Sequence, residues 1–233
     1  MKISQTLYAK KIKKERLRNN QVVFDGGLGE NPLPVPRVLK DVLIEHLDEK
    51  EYTDSRGIQE LQNILGERLL VGNGLKPLLF NIQLAFSKLY DNGIIYHLIP
   101  YWVSYTEQTN ILNINSKKII PKNHVNWKIT PEDLENELSK CNTPNLIIFN
   151  NPTNPTGCYY TREEVKDLSE VFKKYNSIVV ADDIYEKIIH YDHQDKFGQI
   201  KDYYELVISG SSLSKMVELG VIDLAGLFLI HIN

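Results

Sequence analysis

Cysteine is nearly missing from this chain: Cys141 and Cys158 are the two among 233 residues. That excludes a disulfide-stapled scaffold and fits a reducing, cytoplasmic setting. No apolar run approaches bilayer length and no signal-peptide core follows Met1, so neither a membrane span nor secretion is expected. An excess of one charge sign is also lacking. With 27 basic and 30 acidic residues the net charge is −3, and no global field recruits nucleic acid. Lys10, Lys11, Lys13, Lys14, Arg16 and Arg18 form a local basic run, which reads as a solvated helix face. There is no internal repeat, low-complexity linker or metal-ligand cluster. No strand leads into Gly-x-Gly-x-x-Gly and no Walker lysine loop exists, which disfavours a nucleotide-binding Rossmann domain.

What is present is ordinary globular material, 42% hydrophobic and 24% charged, enough for a sizeable core. Strand-like apolar runs fall at Leu69–Gly72, Gly93–Leu98, Leu146–Phe149, Ile178–Ala181 and Leu206–Ser209. Lys76–Leu89 carries apolar residues at helical spacing. Thr130–Leu138 and Thr161–Tyr175 each open with a threonine cap and acidic residues in the first turn. The alternation predicts βα units around a mostly parallel sheet, an α/β three-layer αβα architecture. Ligands in such sheets gather at the strands' carboxyl ends, beside a topological switch.

Three segments carry chemistry. Ser209-Gly210-Ser211-Ser212-Leu213-Ser214-Lys215 follows the run Leu206–Ile208, placing Lys215 just past a strand end. A lysine there can form a Schiff base with a carbonyl cofactor, while small hydroxyls and backbone N–H groups receive a phosphate. Asn150-Asn151-Pro152-Thr153-Asn154-Pro155-Thr156-Gly157 follows the strand Leu146–Phe149; its prolines fix φ and Gly157 allows a sharp turn. A plain Asx-Pro loop would account for the turn but not for the paired Asn-Pro-Thr units. Val179-Val180-Ala181-Asp182-Asp183-Ile184-Tyr185 ends a buried strand in carboxylates, which are costly there unless paired with a cation or strong donor. A helix N-cap by Asp182 or Asp183 is the simpler alternative for this motif alone.

Together and in this order, the Asn-Pro-Thr-Gly loop, Asp-x-x-Tyr at a strand end and Ser-x-Ser-Lys resemble the class I/II aminotransferases, fold-type I pyridoxal-phosphate enzymes. The likeness runs over roughly residues 21–220. It implies pyridoxal 5'-phosphate as cofactor, amino-acid and 2-oxo-acid substrates, and a homodimer with sites at the subunit boundary. It further implies that Lys215 holds the cofactor and shuttles the substrate's proton, and that Asp182 pairs with the ring nitrogen. Asn154 and Tyr185 would bond the ring's O3′, and Trp102 would stack on its face. Gly74, Leu75 and Lys76 would form the phosphate turn, with Ser212 and Ser214 adding hydroxyl donors. Tyr52 would reach the neighbouring subunit's phosphate, and Gly27 and Gly29, with Asn154, would face the substrate. Asp25–Pro34 and Tyr105 are expected near the side-chain pocket.

The likeness departs from the family at two places. Asp223 stands where the family's Gly-x-Arg-x-Gly-Trp pattern has its phosphate-binding arginine, replacing attraction by repulsion; and Ile58–Arg68 leaves less room than the family's helix and loop. The domain reading is therefore an N-terminal arm at 1–40, a cofactor-binding large domain at 41–220, and a divergent tail at 221–233, with the small domain largely missing. The abrupt loss of the match near residue 220 is expected to mark out-of-frame sequence; the other reading makes Leu224–Ile230 a final strand. The functional expectation is an aminotransferase. The alternatives are a truncated, catalytically silent chain that at most binds the cofactor, or a lyase or synthase of the same fold.

Overall fold

The computed structural model describes residues 5–24, 26, 33–55, 57–66, 68–122, 126–189, 193, 196–216 and 228–232. Seven strands form one sheet: β1 (Leu69–Leu70), β2 (Ile94–Leu98), β3 (Ser116–Ile119), β4 (Asn145–Asn150), β5 (Ile178–Asp182), β6 (Val207–Ser212) and β7 (Phe228–Ile232). Their spatial order is β1-β7-β6-β5-β4-β2-β3. β6, β5, β4, β2 and β3 run parallel, whereas β7 is antiparallel to both β6 and β1.

The helices are α1 (Gln5–Arg18), α2 (Arg37–Glu45), α3 (Gln59–Leu65), α4 (Leu75–Leu89), α5 (Ser104–Ile111), α6 (Pro131–Leu138), α7 (Arg162–Lys174) and the single turn α8 (Leu213–Met216). The central strands alternate between two cores. Ile147, Phe149, Val179 and Ala181 pack with Leu134, Val165, Leu168 and Phe172 of α6 and α7. Leu146, Ile148 and Val180 pack on the other face with Leu75, Leu79 and Phe86 of α4 and Tyr105 of α5. Strands covered on both faces have no water-facing side, which is why their sequences read as unbroken apolar runs. The expected three-layer αβα architecture is what the chain adopts.

Both threonine caps are present. Thr130 and Thr161 accept from the N–H groups of Asp133 and Glu164, whose carboxylates accept the caps' own N–H in return. The basic run lies on α1, where residues 8–18 are mostly exposed, as a solvated helix face requires. Three elements differ from the sequence reading. β3 is Ser-Lys-Lys-Ile, an edge strand whose lysines hide its apolar signal. α5 has no strong apolar stripe. In the tail, Phe228–Ile232 forms β7 between β1 and β6, starting inside the run Leu224–Ile230 and ending two residues past it. The position of Asp223 lies outside the described residues, and the tight connection before β1 is spanned by α3.

Candidate active site

The parallel strands put the chemistry on one edge. Asn150, the last residue of β4, is paired with Asp182, the last of β5, and Asp182 with Gly210 of β6. β2 ends at Leu98, four residues before Trp102. β3 lies on one side of β2 and β4 on the other, so the chain reverses direction across the sheet at β2/β4. Loops diverging at such a point leave a crevice, and Trp102 and Asn154 are in the loops on its two sides.

Asp182 is buried at 3% exposure, and no ion pair to it occurs among the described residues. Its Oδ2 accepts the Tyr105 hydroxyl in a short hydrogen bond, and its Oδ1 accepts the Ile184 N–H at 3.3 Å. Burial raises its pKa to about 6, against the opposing pull of these two donors. The simpler N-cap reading of Asp182 does not hold, because β5 leads into a turn rather than a helix. Three residues on, Tyr185 is half-buried, and the Asn154 side-chain amide approaches its hydroxyl at 3.5 Å. Burial and the Asp182 charge raise the Tyr185 pKa, so it stays a phenol able to donate at neutral pH.

The Asn-Pro-Thr loop is held by its own asparagines. Asn150 accepts the Asn154 N–H at 2.6 Å and donates to the Asp182 carbonyl at 2.8 Å. Asn151 donates to the Gly198 carbonyl and accepts the Tyr160 N–H. Gly157 has φ 70°, and its N–H closes the turn onto the Thr153 carbonyl at 2.7 Å. Asn154 is thereby held to the β4 and β5 ends rather than left on a loose loop.

α4 begins at Gly74 (φ 113°) with no side-chain cap, which leaves backbone N–H groups of its first turn, among them those of Leu75 and Lys76, for an anion. Gly210 of β6 lies against this turn: a Cβ there would stand 2.5 Å from Leu75 Cδ1, so the bare backbone leaves room for the Leu75 side chain at the start of α4. Ser212 is buried and its Oγ accepts the Ser214 N–H at 2.9 Å; Lys215 follows in α8, half-buried. Lys76 is exposed, with Nζ 4.8 Å from the Trp102 ring centroid. Trp102 is half-buried and meets Tyr105 edge-on, with centroids 5.7 Å apart. Tyr52 is fully exposed. Gly27 and Gly29 lie outside the described residues.

Tyr105 is 1% exposed and donates its hydroxyl to Asp182, a contact absent from the sequence reading. Tyr105 lies three residues after Trp102, but nothing local marks Asp182, 77 residues further on, as its partner. Asn150 and Asn151 were read as turn formers only.

These residues fit pyridoxal phosphate. Asp182 offers a buried carboxylate with no ion pair among the described residues, Asn154 and Tyr185 offer paired donors, and the uncapped α4 terminus packs against Gly210 of β6. No group of three or more metal-ligating side chains occurs among the described residues, and no described helix is long and apolar enough to cross a membrane.

Comparison with known proteins agrees with this geometry. The family model for aminotransferase class I and II matches residues 12–219. An aspartate aminotransferase of Bacillus sp. (strain YM-2) is 32% identical over 208 residues, 81% of this chain and 52% of its own length. A probable aspartate/prephenate aminotransferase of Rhizobium leguminosarum bv. phaseoli is 31% identical over 82% of this chain and 51% of its own. Among solved structures, the aspartate aminotransferase of Rhizobium meliloti superposes with a TM-score of 0.84 at 21% identity, covering all of this chain and 61% of that one. That of Thermotoga maritima gives 0.78 at 25% identity, covering 99% and 64%. The chain thus spans about half the length of the curated relatives it matches. On its matched span, its sheet and its strand-end residues, it belongs to the class I and II aminotransferases.

Proposed function

We propose that this chain is the cofactor-binding part of a pyridoxal-phosphate-dependent aminotransferase, working in the cytoplasm as a homodimer. The observation that carries the reading is Asp182. It is a buried carboxylate at the end of β5 that forms no ion pair among the described residues, with the Asn154–Tyr185 pair beside it and Lys215 at the end of the next strand. When bound, pyridoxal phosphate supplies a protonated pyridine ring that withdraws electrons from the substrate's α-carbon.

This chain's residues do the rest. Asp182 holds the proton on the ring nitrogen, and the pairing offsets the cost of its own burial. Asn154 and Tyr185 bind the phenolic oxygen, and Trp102 covers a ring face. The α4 terminus at Gly74, Leu75 and Lys76, with Ser212 and Ser214, binds the phosphate. Lys215 Nζ would hold the cofactor and, when free, would move the proton at the substrate's α-carbon. Tyr52, fully exposed on its own chain, and Gly27 and Gly29 are assigned to the second subunit's phosphate and to the substrate side. The relatives' names direct the first substrate panel to aspartate with a 2-oxo acid.

The test is to add pyridoxal phosphate to purified protein, record the visible spectrum, reduce with borohydride and map the modified peptide. A visible band with the label on Lys215 is expected, followed by amino-group transfer from aspartate. Labelling scattered over surface lysines would overturn the assignment of the site. Label at Lys215 without turnover would leave a chain that binds the cofactor alone.

A further inference from the structure

Two of the residues given a cofactor role, Trp102 and Asp182, meet at one side chain with no such role. The Tyr105 hydroxyl donates to Asp182 Oδ2, and the Tyr105 ring takes the edge-to-face contact with Trp102. We propose that Tyr105 is a positioning residue: it fixes the Asp182 carboxylate with a buried donor and sets the Trp102 ring from the same side chain. The inference rests on the cofactor reading above.

The helix that carries Tyr105 is held independently of Asp182. Gln108, one turn further along α5, donates to the Lys76 carbonyl at 2.8 Å, and Gln83 of α4 donates to Gln108 Oε1 at 2.6 Å. These buried amides fasten α5 to α4, and the Tyr105 N–H closes the first turn of α5 onto the Trp102 carbonyl at 3.1 Å. The main chain of Asp182 is fastened from the opposite side, its carbonyl accepting from Asn150 Nδ2 and from the Asn151 N–H at 3.3 Å. The carboxylate is thus gripped between α5 and the β4 loop. With one oxygen bonded to Tyr105 and the other to Ile184 N–H, it has little freedom to rotate, and its remaining lone pairs are left for the ring nitrogen. A phenol is suited to the task. Burial and the neighbouring charge push its pKa well above the ordinary value, so it remains a donor throughout the working range. Because a donor to the ionised form favours that form, the Tyr105 hydroxyl opposes the neutralising effect of burial on Asp182.

The experiment separates this role from cofactor binding. In protein without cofactor, carboxyl resonances of ¹³C-aspartate-labelled wild type and Tyr105→Phe are titrated, with Asp182→Asn assigning the signal. The Phe variant keeps the ring and removes the donor, so the Asp182 midpoint is expected to rise by about one to two pH units. An unchanged midpoint overturns the proposal. If the Phe variant does not fold, the wild type decides alone: the Tyr105 ring carbon bearing oxygen should titrate with the Asp182 midpoint, and an independent midpoint overturns it. With cofactor added, Tyr105→Phe should bind about tenfold more weakly, and Tyr105→Leu, which also loses the Trp102 contact, more weakly still. Equal affinity for all three refutes a positioning role. Should wild type take up no cofactor at Lys215, the proposed function fails while the cofactor-free titration still judges Tyr105.

Discussion

α2 and α7 are both amphipathic by sequence, yet the structure treats them in opposite ways. α7 opens with a capping box, closes with Lys173 and Lys174 in its last turn, and buries Val165, Leu168, Ser169, Val171 and Phe172. α2 has no side-chain cap and buries nothing: Val38 is 66% exposed and Ile44 likewise. The same holds for the regions around them. Residues 69–212 contain both hydrophobic cores, whereas α2 and α3 contribute no buried residue. Periodicity predicts a helix and its apolar face, but not what covers that face. The stability of the described chain therefore resides in its sheet half, and mutations in the two halves should differ sharply in cost.

The largest expected effect concerns a charge that the sheet half buries. Asp183 is 2% exposed, and its Oδ1 has no hydrogen-bond partner among the described residues. Burial first, then the Glu186 charge, with lesser additions from Asp182 and Asp202 against Lys201, raise its pKa to about 8. Its native pKa thus lies above the unfolded value of about 4, so the folded state binds the extra proton between those limits. Stability is fullest below about pH 4 for this group and declines as pH rises toward 8. Asp183→Asn mimics the protonated form. It should match wild type in acid and be more stable at pH 8, by up to about 5 kcal/mol if the whole linkage is realised. Urea unfolding at pH 5 and pH 8 measures it, and parallel pH profiles for the two proteins would remove Asp183 as the source. Among the described residues, the region of α2 and α3 offers no counterpart. His46 has its pKa raised by its hydrogen bond to Glu49, but the pair is exposed and screened.

Second comes the core itself. Phe172 is fully buried and meets Phe149 edge-on and Tyr204 at 6.2 Å between centroids. Phe172→Ala should cost about 3–5 kcal/mol, from lost transfer energy and a cavity that neighbouring rings only partly fill. The loss should appear in thermal and denaturant unfolding alike. A cost below about 1 kcal/mol would mean that α7 is not integral to the sheet half.

The sheet half was also the legible half. Ile and Val runs at β2, β4 and β5 declare strands because both faces are covered, and the threonine caps declare where α6 and α7 begin. β3 escaped because an edge strand with two lysines lacks the burial that makes strands readable. At the site, Asn154, Asp182, Tyr185, Ser212 and Lys215 were legible as strand-end motifs, and the parallel register explains how they come to share one edge. Tyr105 was not, because its function depends on a hydrogen bond spanning 77 residues. No local pattern encodes such a pairing; only the packing of α5 against α4 and β5 does. Asn150 and Asn151 escaped for the same reason, since their partners lie on β5 and near Gly198.

The smallest effect tests α2. Val42 lies on the apolar side of α2 at 45% exposure, and α2 buries nothing in this chain. Val42→Ala gives up little burial and gains slightly in helix propensity, so the two terms nearly cancel and the change should stay within about 0.5 kcal/mol. Set beside Phe172→Ala in the same unfolding assay, it turns the contrast between α2 and α7 into one number. If Val42→Ala instead costs 1 kcal/mol or more and the cost grows with protein concentration, α2 is covered by a second molecule. The concentration series matters more than the single value: burial within one chain is independent of dilution, whereas burial between chains follows mass action.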